Sequence, residues 1–117
     1  MDKGLDDMSD VDDSIDARTQ QVIDLLAPLG PIVAKPMLGT WGLYLEDRIF
    51  GLVHDGQVYF RTNDSTIARY VDAGSRPFVY VREGGPSSVL PYHEVPDTIL
   101  DVRDDACAWA YEAAAGE

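Results

Sequence analysis

The sequence predicts an α+β domain in two layers, a mainly antiparallel sheet with helices packed on one face. Three observations predict it. Between Lys35 and Arg61, short apolar and aromatic runs are separated by two turn signals, Glu46-Asp47-Arg48 and Asp55-Gly56. The second is among the strongest short hairpin signals a chain can carry. Apolar stripes with helical spacing stand before and after this strand-rich middle. Finally, strands come in runs and do not alternate one by one with helices, so the order reads α-β(3)-α-β(2)-α, which favours α+β over a parallel wound sheet.

Residues 1–13 are acidic and unpatterned, and read as a disordered, solvating tail preceding a single domain over 14–117. An Asp-rich calcium loop fails on pattern, because no Gly sits at the sharp turn and no Glu closes the loop. Ser14 is the expected N-cap of a first helix, with Asp16 in its first turn, where the helix dipole favours an acid. Ile15, Thr19, Val22, Ile23, Leu26 and Leu29 form its stripe, and Pro28 should end it near Ala27. Ile32 to Met37 reads as an extended segment, with Pro36 marking an edge strand or an irregularity. Gly39 and Gly42 bracket Thr40-Trp41 and suggest a bulge, a bend or a close backbone approach. Leu43 to Leu45 resume a strand. In the next one, regular alternation puts Phe50 and Leu52 on one face and Ile49 and Val53 on the other. After Asp55-Gly56, Val58 and Phe60 alternate with Tyr59 and Arg61.

Asn63-Asp64 or Ser65 should cap a short second helix carrying Ile67, Tyr70 and Val71, with Gly74 closing it in the left-handed conformation. Phe78 to Arg82 is a strand rich in β-branched and aromatic residues, and Ser88 to Tyr92 returns as another. His93 to Pro96 are expected to leave the sheet. A final helix over about Asp97 to Ala114 would present Val102, Ala106, Trp109, Ala110 and Ala113 on one face.

Charge is distributed unevenly. The net charge is −12, of which residues 1–16 hold −6 and residues 94–117 another −6, leaving 17–93 neutral. Without a Lys/Arg stripe to displace counterions from phosphate, direct nucleic-acid binding is disfavoured, and so is an anionic membrane surface. No apolar run approaches the roughly 20 residues of a membrane span, and the N-terminus lacks a secretory pattern. The lone Cys107 has no internal disulfide partner, and a cytoplasmic location is expected.

No catalytic or metal-binding constellation stands out, and no cofactor is expected. His54-Asp55 and His93-Glu94 are the histidine–acid neighbours, without further ligands at metal-site spacing; His54 reads as exposed at a hairpin end and His93 as a loop residue. Cys107 sits beside the apolar face of the last helix among acids, which favours packing over a reactive thiolate. Gly39-Thr40-Trp41-Gly42 lacks the Lys-Ser/Thr of a phosphate-cradling loop. The aromatic residues carry more information. The helices cover one sheet face, so tyrosines on the other face could form an exposed apolar-aromatic contact surface, or only pair across strands.

Read in order, several segments resemble one family. Pro36-Met37-Leu38-Gly39-Thr40-Trp41-Gly42-Leu43-Tyr44-Leu45 is similar to its R-x-M-F-G-G-x-G-L-Y segment, with Leu38 and Thr40 in place of the usual Phe and second Gly. Ile49 to Val53 with Val58 to Arg61 resembles the hairpin that follows, and Arg76 to Tyr80, Leu90 to Pro96 and Trp109-Ala110 resemble the rest. The basic residues usual after the Phe-x-Tyr strand are replaced by Glu83-Gly84-Gly85-Pro86. The family is the N-terminal domain of the TfoX/Sxy competence regulators, matched from about residue 20 to residue 114 and without a counterpart here to the regulators' separate C-terminal domain.

The resemblance implies a secretion-chaperone-like fold and a non-enzymatic TfoX-like module that modulates transcription or competence through a protein partner, for instance a transcription regulator. It carries no catalytic residues. The expected contact residues are Met37, Gly39, Trp41, Gly42, Tyr44, Tyr59, Tyr80 and Tyr92. A rival reading is a small-ligand-binding or enzymatic domain that uses the Met37–Tyr44 loop and the open aromatic face. An exposed edge near Ile32–Met37 could support a homodimer.

Overall fold

The computed structural model describes residues 15–37, 39–81 and 84–115. The acidic stretch before Ile15, with the expected cap Ser14, lies outside them. The elements in order are α1 (Ala17–Leu25), β1 (Ile32–Met37), β2 (Thr40–Leu45), β3 (Arg48–His54), β4 (Gln57–Arg61), α2 (Ile67–Asp72), β5 (Pro77–Val81), β6 (Ser87–Glu94), α3 (Asp97–Leu100) and α4 (Arg103–Ala115). The strands form one antiparallel six-stranded sheet in the order β1-β2-β3-β4-β6-β5. The α+β class is as the sequence predicts. The first run of strands, however, holds four and not three, because the Gly39–Gly42 region is a hairpin between two full strands.

Local chemistry explains the meander. Glu46 and Asp47 at φ 52° and 69°, and Asp55 and Gly56 at 52° and 80°, put both central residues of each two-residue turn in the left-handed region. That geometry matches the twist of paired strands. Leu45 therefore opposes Arg48, and His54 opposes Gln57. Arg48 belongs to β3, leaving Glu46-Asp47 as the whole turn. At the β1–β2 connection Gly39 adopts φ 75°, and the Thr40 hydroxyl donates to the Met37 carbonyl at 2.6 Å.

One irregularity overturns the expected faces of β3. Leu43 opposes Gly51 while Tyr44 opposes Ile49, so Phe50 is an extra residue on β3. This bulge turns Phe50 to the side of Val53, and both join the helix-covered core, whereas Ile49 and Leu52 belong to a cluster on the other face. Gly42 is not a bulge but a close approach: a Cβ there would lie 3.2 Å from Ile49 Cδ1 and from a Tyr44 ring carbon.

The helices depart from expectation at their ends. Asp16, not Ser14, caps α1, its carboxylate accepting from the Thr19 amide at 2.7 Å. The regular helix stops at Leu25, and a short 3-10 turn, Ala27–Leu29, absorbs Pro28. Before α2 the Asn63 side chain accepts from the Ser65 and Thr66 amides at 2.8 and 3.1 Å, and Gly74 closes the exit at φ 80°. The expected last helix is two, α3 and α4, broken at Asp101-Val102. In a continuous helix Val102 would share a face with Ala106 and Leu100 would not. The break exchanges them: Leu100 packs on the core and Val102 is exposed.

The main core lies between the sheet and α1, α3 and α4, with Val22, Leu26, Leu43, Phe50, Val53, Val58, Phe60, Val95, Ala106 and Ala110 buried. Tyr70 of α2 joins it, edge-on to Trp109 at 4.8 Å. His93 is neither in a loop nor exposed. It lies in β6 opposite Phe60 and Pro77, buried between Thr62 and Tyr70. Among the described residues, no helix is long and apolar enough to cross a membrane.

Candidate functional site

Among the described residues, the sheet face away from α1 and α4 carries no helix, yet it is not open. Leu52, Phe78 and Tyr92 are buried there, with Met37, Ile49, Tyr59, Tyr80 and Leu90 packed around them. The cause is curl. Phe78 of β5 lies 5.7 Å ring to ring from His54 of β3 and 5.1 Å from Tyr59 of β4, both edge-on. In a flat sheet β5 and β3 would stand three strand spacings apart, roughly 14 Å. The β5–β6 end of the sheet therefore curls toward β3 and β4, far enough for these side chains to meet, and makes this face concave. At its rim a recess of about 230 Å³ is lined by Gly39, His54 and Phe78 to Val81, so the β1–β2 turn faces the opposite edge strand. A second recess, about 390 Å³, is lined by His54, Tyr59, Arg76 to Val79 and Glu94.

The sequence-predicted contact residues divide between the two faces. Met37, Tyr59 and Tyr80 are half-buried in the concave cluster, and Tyr92 is a buried member of it, not an exposed tyrosine. Tyr44 is half-buried under the Lys35 ammonium, 4.9 Å from its ring centre. Gly39 is exposed at the turn and lines the smaller recess, while Gly42 is buried in β2. Trp41 is on the other side, packed against the helix-covered core. Trp41 and Tyr44 are three residues apart on one strand and so cannot line one pocket on one face, which counts against the ligand-pocket reading of this segment. The supposed Met37–Tyr44 loop is mostly strand.

Electrostatics on the concave face are uneven. Strand alternation puts Lys35 with Met37 and Arg61 with Tyr59, and Arg76 stands at the mouth of β5. The acids beside them are Glu94, whose carboxylate lies 3.4 Å from Arg76 Nε, and Asp55 of the β3–β4 turn, which acts on Tyr59. Burial raises the Tyr59 hydroxyl above its ordinary range, and Glu94 raises it further while Arg76 works in the opposite direction. Tyr92 is likewise raised, chiefly by burial, with Arg61 opposing. These phenols stay protonated and neutral at neutral pH.

Sequence reasoning missed two features. His54, Arg76, Phe78 and Glu94 meet through the curl, which no local signal announces. On the helix side, an open groove of about 500 Å³ is lined by Arg69, Asp72, Ala73, Pro96, Thr98, Ile99 and Trp109. There the Arg69 guanidinium stacks 4.5 Å over Trp109 and pairs with Glu112. Cys107 is half-buried, its thiol raised by burial and donating to the Leu25 carbonyl at 3.6 Å. Among the described residues, His, Cys, Asp and Glu form no group of three able to hold a metal ion.

A sheet that buries one face under helices and the other by its own curl, with a rim of half-buried aromatic residues, defines a small α+β domain with one concave face. The TfoX N-terminal domain model matches residues 24–116, and the chain belongs to that family. It is 28% identical over 76 residues to Protein Sxy of Escherichia coli, covering 65% of this chain and 36% of that protein. It is 31% identical over 64 residues to DNA transformation protein TfoX1 of Aliivibrio fischeri, covering 55% of this chain and 31% of that protein. The chain thus spans about a third of the length of the curated relatives it matches.

Proposed function

We propose that the chain is a non-enzymatic protein-interaction module of the cytoplasm that modulates transcription or competence through a protein partner. The observation that supports it most is the concave, helix-free sheet face, where half-buried tyrosines and three cationic positions stand together. A rim that is part apolar and part charged suits a protein contact, in which aromatic residues and arginine anchor binding. The competence link comes from the relatives, one of which is named a DNA transformation protein. In this reading Met37, Gly39, Tyr44, Tyr59 and Tyr80 make the contacts, and Trp41, Gly42 and Tyr92 hold the sheet in shape. Affinity capture from the source cells tests it, with wild type beside a Tyr80→Lys, Lys35→Glu double variant. The expected result is a specific protein retained by wild type and lost by the folded variant. Repeated capture of no specific protein by wild type overturns the reading.

A further inference from the structure

We propose that the free edge of β5 receives an extended, acidic segment of the partner protein as an added strand, with Arg76 pairing one of its carboxylates. This rests on the protein-partner reading above and names the partner's chemistry. Among the described residues β5 is an outermost strand of the six, hydrogen-bonded in the sheet to β6 alone, so one side of its backbone is a template for another chain. The two recesses show where such a chain fits. One is bordered by Phe78, Val79, Tyr80 and Val81, and the other by Arg76, Pro77, Phe78 and Val79. Successive side chains of a strand point to opposite faces, so consecutive residues border one recess only if it runs along the strand's flank. The far wall is built by Gly39, His54, Tyr59 and Glu94, which become reachable because the sheet curls. A strand laid there would lie beside β5 with alternate side chains entering the concave face.

The two outermost strands are guarded in different places: in β5 the proline, Pro77, and the register irregularity before Val79 are confined to the start, leaving Val79 to Val81 as the open part of the edge. β1 carries Lys35 and Pro36, a charge and a missing donor, the devices that blunt a sheet edge. β5 has no charged residue from Pro77 to Val81, and Val79, Val81 and Val89, on one face by their register, are 44%, 67% and 69% exposed. Charge then selects the partner. The concave face carries Lys35, Arg61 and Arg76 against Glu94 and, at the β3–β4 turn, Asp55, and Arg76 is 82% exposed, its guanidinium open to a second carboxylate. The chain's own acidic excess lies at its two ends, away from the middle of the sequence. A second copy would bring the same cationic face together with those acidic ends, so a dimer through this edge is an outcome the test must separate from a foreign partner.

The test selects peptides from a phage-displayed library of random short peptides on the immobilised full chain, followed by synthesis and amide hydrogen exchange. The expected peptides alternate apolar residues and carry at least one carboxylate. Their binding weakens with salt and slows exchange at the β5 amides. Val81→Lys, at an exposed position, should weaken binding about tenfold or more, and Arg76→Glu about tenfold, each at a rim contact. Val33→Lys on β1 should leave binding unchanged. Peptides with helical periodicity, protection elsewhere in the chain, or indifference to Val81→Lys would overturn the proposal. So would a wild-type dimer, seen by light scattering, that Val81→Lys dissolves, since the edge would then serve a second copy. If cellular capture still retains its protein on Val81→Lys, the partner reading stands and the β5 site falls. Capture of nothing by wild type removes the reading itself.

Discussion

The two faces of this sheet are buried by different means. On one, α1, α3 and α4 supply a separate layer over Leu43, Phe50, Val53, Val58 and Phe60. On the other, the β5–β6 end curls toward β3 and β4, so the sheet covers Leu52, Phe78 and Tyr92 with its own side chains. The difference teaches that an antiparallel sheet can bury a second face without a second layer, provided one edge strand acts as the lid. Burial on that face then depends on where β5 sits. A strand used as a lid keeps one free edge, so the self-covered face is also the one with room for a partner.

The comparison breaks first at its largest side chains. Phe60 and Leu52 are both fully buried, one on each face. Phe60→Ala opens a cavity under a helical layer that cannot follow it inward, and should cost about 3–5 kcal/mol. Leu52→Ala should fall nearer the low end of the roughly 2–5 kcal/mol range for such truncations, because β5 can settle into the gap. Urea unfolding of both variants measures the difference. An equal or larger cost at Leu52 would show that the curl is as rigid as the helical layer.

A smaller effect is expected at Gly51, where the two faces are tied together beside the bulge. A Cβ there would stand 2.8 Å from the Tyr59 carbonyl oxygen, 3.2 Å from Phe60 Cδ1 and 3.4 Å from Leu43 Cδ1. Backbone must move to admit a methyl group, so Gly51→Ala should cost about 1–3 kcal/mol despite the small volume added. Thermal unfolding reads that cost, and a neutral result would mean that β3 and β4 separate more easily than their pairing suggests.

The helix-covered side has a pH dependence of its own. Burial lowers His93 below the ordinary histidine range, so the folded protein holds the neutral ring while the unfolded chain binds a proton more readily. The stability this carries is complete above about pH 6.5 and is lost as pH falls through the lower folded value, by at most about 1.4 kcal/mol per pH unit. His93→Asn should flatten the curve in that window. If wild type and variant lose stability in parallel as pH falls below about 6.5, another group carries the effect.

How much of this was legible in the sequence depends on how far each feature reaches. Asp55-Gly56 and Glu46-Asp47 settle their hairpins within a few residues, and β1 to β4 follow. The family signal was legible too, spread over segments that the TfoX N-terminal domain model covers from residue 24 to residue 116. Phe50 was misplaced because alternation was taken as unbroken, and a bulge leaves no mark in its residue types. His93 was misread because Pro91 and Pro96 suggested an exit. Pro91 instead sits where the β5–β6 register shifts, and its carbonyl accepts from the Thr62 amide at 2.8 Å. Of the candidate contact residues, Trp41 and Tyr44 could have been separated by parity alone. The recesses along β5 could not, because they arise from contacts between strands that are not neighbours in the sheet.

The smallest expected effect sits at the start of the helical layer. Asp16 accepts the Thr19 amide and is held below the ordinary carboxylate range by its closeness to Thr19, side chain first and backbone next, with slight burial opposing. It is exposed, so the charge itself contributes little, and the cap dominates. Asp16→Ala should cost about 1 kcal/mol at neutral pH, and Asp16→Asn much less, since the amide oxygen can still accept. A depressed folded pKa means that the stability is present above about pH 4 and disappears as pH falls through the folded value. The gap between wild type and Asp16→Ala should therefore narrow on acidification. The concave face should not notice: binding of β5-directed peptides should match wild type in Asp16→Ala, whereas any loss there would tie the helical layer to the lid strand and end the independence of the two faces.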